Sequence, residues 1–126
     1  MMTATVSTGT AARRREWRRW QTRVLHLLPW VRRLREETRC DAYRWSQMPL
    51  KVMGDPELRE RYRCKNRARW HFTALQRSYA RDGDYCLSHL IHSGLYGDMR
   101  EERRMETWFA RHPDVLADRP TPTESQ

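Results

Sequence analysis

The stretch Asp55–Gly83, DPELRERYRCKNRARWHFTALQRSYARDG, decides how this chain is read. Asp55 suits a helix N-cap, and Pro56 suits the first helical position, where its missing N–H costs nothing. Glu57 and Glu60 then fall near the positive end of a helix dipole, and Asp82-Gly83 supplies a left-handed C-cap. On a wheel of about 100° per residue, Leu58, Tyr62, Ala68, Phe72, Leu75 and Tyr79 share one side. Arg59, Arg63, Arg67, Arg77 and Arg81 share another, with Trp70 among them. The spacing predicts one long amphipathic helix with a core face and a basic, aromatic-bearing face.

N-terminal to this stretch, Trp17, Trp20, Val24, Leu27, Leu28, Val31 and Leu34 recur at three- and four-residue spacings, which is the helical core signature. Pro29 interrupts them, so a kink or a second helix is expected there. Residues 40–55 read as a short helical turn and a loop. Asp84 can cap a short helix carrying Leu87, Leu90 and Ile91, closed by Gly94, and Gly94–Gly97 is a tight connection. Asp98 with Glu101 forms a capping-box pattern for a last helix that buries Met105, Trp108, Phe109 and His112 and stops at Pro113. No strand shows clear alternation at this level. The expected fold is all-α, a small bundle of four or five helices spanning residues 13–117. Residues 1–12 and 118–126 are expected to be disordered tails.

The 126 residues suffice for one domain with a modest core. No segment approaches the ~20 apolar residues of a membrane span, and arginines interrupt every apolar stretch near the start that a secretory signal would need. The net charge of +9 is uneven. Residues 13–35 contribute +8 and residues 55–83 contribute +4, whereas residues 84–126 carry −3. A basic body with an acidic end suits a polyanionic partner, internal pairing, or both. Arg outnumbers Lys 23 to 2, which fits bidentate phosphate contacts and equally a GC-rich coding bias. Three cysteines without secretory context argue against a disulfide framework and for the cytoplasm.

Two constellations carry chemistry. Cys86-x-x-His89 opening a helix resembles the second ligand pair of a treble-clef zinc site, with Cys64 upstream. Cys40 would complete a three-cysteine, one-histidine set, although the spacing is irregular. Cys64 and His71 on one helix lie roughly 10.5 Å apart in rise, too far to share an ion. Zinc therefore requires residues 61–74 to form a hairpin, a possibility that the alternation of Tyr62, Cys64, Ala68, Trp70 and Phe72 leaves open. The preferred reading makes Cys64 and Cys86 small buried apolar residues, and zinc the lesser alternative. Nucleophilic catalysis by Cys86 with His89 or His92 lacks an oxyanion hole or an orienting group. The second constellation is the arginine face. Arginines at intervals suit phosphates, and Trp70 would be a stacking plate for an unpaired base. Arg13, Arg14 and Arg15 extend the basic surface. Phosphate-binding loops, HExxH and calcium-loop patterns are absent, and no enzyme is indicated.

Tyr85–Leu90 (YCLSHL) with Gly94–Asp98 (GLYGD), following Arg63-Cys64 and Ala68-Arg69-Trp70, resembles short uncharacterised proteins of actinobacterial phages, over Arg61 to Trp108. The resemblance implies an accessory protein acting on host machinery or nucleic acid, in the host cytoplasm. The expected function is nucleic-acid binding by Arg59, Arg63, Arg67, Arg77 and Arg81 with Trp70. The competing expectation is an interaction module for an acidic host protein.

Overall fold

The computed structural model describes residues 2–121, with side chains from Gly9 onward. It replaces the expected all-α bundle with a mixed fold, because the decisive stretch is not one helix. Asp55 does cap a helix over the predicted Pro56, accepting from the N–H groups of Glu57 and Leu58. That helix, α3 (Pro56–Arg59), lasts one turn and passes through a 3-10 turn, Glu60–Tyr62, into β2 (Arg67–Phe72). Ala68 and Phe72 fit either a 3.6- or a 2-residue period. Trp70 separates the two. A helix would set it among the arginines, whereas the strand buries Ala68, Trp70 and Phe72 at 0, 4 and 0 % exposure and turns Arg67 and Arg69 outward. Burying the indole together with the phenyl ring is worth several kcal/mol, at about 25 cal/mol per Å² of apolar surface, and that outweighs helix propensity.

The second correction lies at Pro29. Helix α1 (Met2–Leu27) ends just before it, with Leu28 N–H still reaching Val24 O at 3.1 Å. The chain then continues as a strand, β1 (Val31–Arg39), and not as a helix. Proline disfavours helical geometry in the residue before it, and β1 finds its partner in β2. A third strand, β3 (Gly83–Tyr85), completes an antiparallel sheet in the order β1-β2-β3. Gly83 therefore opens a strand instead of capping a helix. The β1–β2 register shifts between Arg33 and Thr38, so residues 34–37 stand against Arg69 alone. Such a bulge blunts an edge strand. From it, Glu37 meets Arg69 at 3.1 Å and Arg67 at 3.9 Å.

The chain divides into two units, one from Pro29 to Met105 and one from the two ends, up to Leu28 and from Glu106. The first holds the sheet, α2 (Leu50–Met53), α3, α4 (Leu87–His89) with the π-turn Leu90–Leu95, and the start of α5 (Met99–Arg111). Its core joins Trp70, Phe72, Tyr85, Leu90, Leu95 and Met105. Asp98 caps α5 as expected, accepting from Arg100 and Glu101 N–H at 3.0 Å. Glu101 does not reciprocate as a capping box would. Its carboxylate is buried and takes the N–H of Leu75 and the guanidinium of Arg104.

The other unit pairs α1 with the end of α5 and α6 (Pro113–Ala117). The Trp20 ring stacks on Phe109 at 5.8 Å and its Nε1 donates to Val115 O at 2.9 Å, while Arg23 binds Asp118 at 2.6 Å. Residues 2–12, expected to be a disordered tail, are helical in α1. Of the expected C-terminal tail, residues 122–126 lie outside the described residues. Among the described residues no helix is long and apolar enough to cross a membrane.

A candidate metal centre at the end of the sheet

Beyond the named strands, β1 and β2 continue as a hairpin. Cys40 N–H donates to Asn66 O at 3.0 Å, Cys64 N–H to Ala42 O at 2.7 Å, and Arg44 N–H to Tyr62 O at 2.7 Å. Cys40 thus lies opposite Asn66 and Cys64 opposite Ala42. Because side chains alternate in direction along a strand, Cys40 and Cys64 are diagonal neighbours on one face. The pair that a zinc knuckle usually draws from one short loop here comes from two strands far apart in sequence. Arg63 clamps the hairpin: its Nε donates to Cys40 O at 3.0 Å and its Nη2 lies 2.8 Å from Asp41.

The second half of the cluster follows β3. Cys86 is the N-cap of α4, and His89 stands one turn on. His89 Nδ1 lies 3.3 Å from Cys86 Sγ and 3.6 Å from Cys40 Sγ. The ligand atoms of Cys40, Cys64, Cys86 and His89 all lie within 4.8 Å of one another. Zinc bonds of about 2.3 Å to sulfur and 2.0–2.1 Å to nitrogen give tetrahedral S···N edges of roughly 3.6 Å. The observed edges agree with that figure. The four residues form a cluster that can hold a metal ion such as zinc.

The surroundings suit thiolates. Cys86 N–H points at Cys40 Sγ (3.3 Å), Asn66 N–H at Cys64 Sγ (3.4 Å), and Asn66 Nδ2 at Cys86 Sγ (3.9 Å). All three thiols are buried and free of disulfides. Burial pushes the Cys40 thiol up to about 12, against the N–H donors of Cys86 and Ala42 that favour its ionised form. A buried cation reverses that balance, since thiols bind metals as thiolates. Burial, aided by the charge of His92, lowers the His89 pKa and so favours the neutral ring that a metal requires.

The arginines expected to form one basic face are dispersed among different elements. Arg59 is half-buried in α3, and Arg63 is committed to the hairpin. Arg67 projects from β2. Arg77 occupies a loop position with φ of 66°, and Arg81 lies in the loop before β3. Trp70, the expected stacking plate, is buried beneath Arg33, whose guanidinium lies 5.1 Å from its ring. Arg13, Arg14 and Arg15 are exposed on α1. The lesser zinc set of Cys64, Cys86 and His89 is brought together, with Cys40 as its fourth member. No family model, curated protein or solved structure matches the chain.

Proposed function

We propose that this is a zinc-stabilised, non-enzymatic nucleic-acid-binding accessory protein. The observation that carries the reading is the location of the cluster. Cys40 follows β1, Cys64 precedes β2 and Cys86 follows β3, so the same strands that hold the ligands carry the basic open face of the sheet. On that face Arg32 stands opposite His71, and Arg39 opposite Arg67, with Arg69 between. Their side chains reach solvent, Arg67 at 78 % and Arg69 at 58 % exposure. Four protein ligands close a zinc site, which marks structural and not catalytic use. Zinc would then fix a basic surface, and the net charge of +9 would draw a polyanion to it.

The test is binding of labelled single- and double-stranded DNA and RNA at two salt concentrations, with the Arg67→Glu/Arg69→Glu variant alongside. Affinity should fall steeply with salt. The variant should bind more weakly and with a shallower salt slope, by about one for each phosphate that is no longer neutralised. Absence of binding at low salt would remove the nucleic-acid function and turn the search to an acidic protein partner.

A further inference from the structure

The 29–105 unit contains a cleft of about 300 Å³ walled by Tyr43, Trp45, Tyr79 and Tyr85. Tyr43 and Trp45 form a tilted pair with centroids 5.2 Å apart. Trp45 is 46 % exposed and Tyr79 91 % exposed, so both rings are open to a ligand. Trp45 and Tyr79 thus add little to the core in which Tyr85 is buried, and their exposed rings suit a planar guest. The polar wall is acidic. Asp41 is held by Arg63 and by Asp84 N–H. Asp82 accepts Ala74 N–H through Oδ1 at 2.7 Å, and among the described residues its Oδ2 makes no hydrogen bond. Arg81 and Ser93 complete the lining.

We propose that this cleft binds an unpaired guanine base of a nucleic-acid strand, an inference that rests on the nucleic-acid reading above. Three features select this occupant. The rings offer stacking surface, which is how sequence-tolerant single-strand binders hold bases. The protein's strong positive charge favours a polyanionic strand and repels a free cation, the other guest an aromatic and acidic cleft would suit. Carboxylates only accept hydrogen bonds, and guanine presents adjacent N1–H and N2–H donors on one edge. Adenine, cytosine and uracil place no two N–H donors side by side on that edge. Arg81 lines the cleft and would supply the cation for the neighbouring phosphate.

The experiment titrates the metal-loaded full chain with short oligo-G-containing, oligo-A, oligo-C and oligo-U strands and with guanosine monophosphate, read by tryptophan fluorescence and anisotropy. The guanine-containing strand should bind tightest. Trp45→Ala, at a half-exposed position, should weaken it by roughly tenfold or more, as loss of a stacking partner does, and Trp45→Phe should restore most of it. Asp82→Asn keeps an acceptor for Ala74 and should abolish the guanine preference, so that the guanine-containing strand binds no tighter than oligo-A in that variant. Salt-dependent binding without base preference, unaffected by Trp45→Ala, would overturn the guanine site and leave the basic-surface reading standing. Failure of every strand to bind would overturn both.

Discussion

Replacing Glu101 with Gln should be among the most damaging conservative substitutions in the molecule. Glu101 is 1 % exposed. Its Oε1 lies 2.5 Å from Arg104 Nη2, and its Oε2 accepts Leu75 N–H at 3.0 Å. Arg104 is itself drawn out of water, 4.3 Å above the Trp30 ring and 5.6 Å from Phe72, with Nη2 also donating to Thr73 O at 2.9 Å. Desolvation lowers the Arg104 pKa, and Glu101 opposes that shift. Deleting one charge of a buried pair typically costs about 3–5 kcal/mol, because the other is left uncompensated. Gln retains a carbonyl for Leu75, so about 3 kcal/mol is expected, and Glu101→Ala should approach 5 kcal/mol. Urea unfolding of the metal-loaded protein, followed by circular dichroism and tryptophan fluorescence, measures the difference at unchanged m. Glu101→Gln combined with Arg104→Met should recover most of the loss, since an apolar replacement of a buried pair is often neutral. A cost below about 1 kcal/mol for Glu101→Gln, or a double variant no more stable than the single one, would show that the buried pair is not what holds this region.

Three further outcomes are expected. A Cβ on Gly97 would collide with the backbone carbonyl of Ser93, so Gly97→Ala should destabilise by about 1–3 kcal/mol and lower the melting temperature. The Asp98 carboxyl is held below its ordinary pKa by N–H groups, chiefly that of Tyr79 and then that of Glu101. Its folded pKa is depressed, so its contribution is complete above the unfolded value near pH 4 and disappears as pH falls through the lower folded value. The stability gap between wild type and Asp98→Asn should therefore be flat near neutrality and close in strong acid, as read by denaturant midpoints across pH. Asn66→Ala removes the amide directed at Cys86 Sγ but keeps the backbone N–H to Cys64. It should weaken metal affinity by about 10–100-fold in a chelator competition, with the fold retained in excess metal.

The chain's local signals are largely legible from sequence, whereas its long-range pairing is not. The caps at Asp55 and Asp98 and the stop at Pro113 each depend on a few adjacent residues, and they stand where expected. Cys86 and His89 are readable as a ligand pair because both lie within one turn of a short helix. Residues 67–72 mislead because Ala68 and Phe72 satisfy two periods and the flanking arginines imitate a helical stripe. Only the burial of Trp70 decides between them, and that burial depends on the sheet that β2 forms with β1 and β3. β1 itself is dominated by charged residues, so its sequence conceals a strand that packing against β2 creates. Cys40 and Cys64 are joined by that hairpin and by nothing in their spacing, and for that reason the metal set stays incomplete without it. The cleft formed by Tyr43, Trp45 and Tyr79 likewise gathers separate loops that no local pattern connects.

Metal content is the first property to measure, since the Cys40, Cys64, Cys86 and His89 cluster either holds zinc or does not. The chain would be purified without added metal and its zinc measured by elemental analysis, with native mass spectrometry and a cobalt-substituted absorption spectrum alongside. A single tightly held zinc ion per chain is expected. Cobalt should show tetrahedral thiolate charge-transfer bands, and both signals should be lost in Cys40→Ser and Cys86→Ser. A folded wild-type protein that carries no zinc and takes up neither zinc nor cobalt would contradict that expectation.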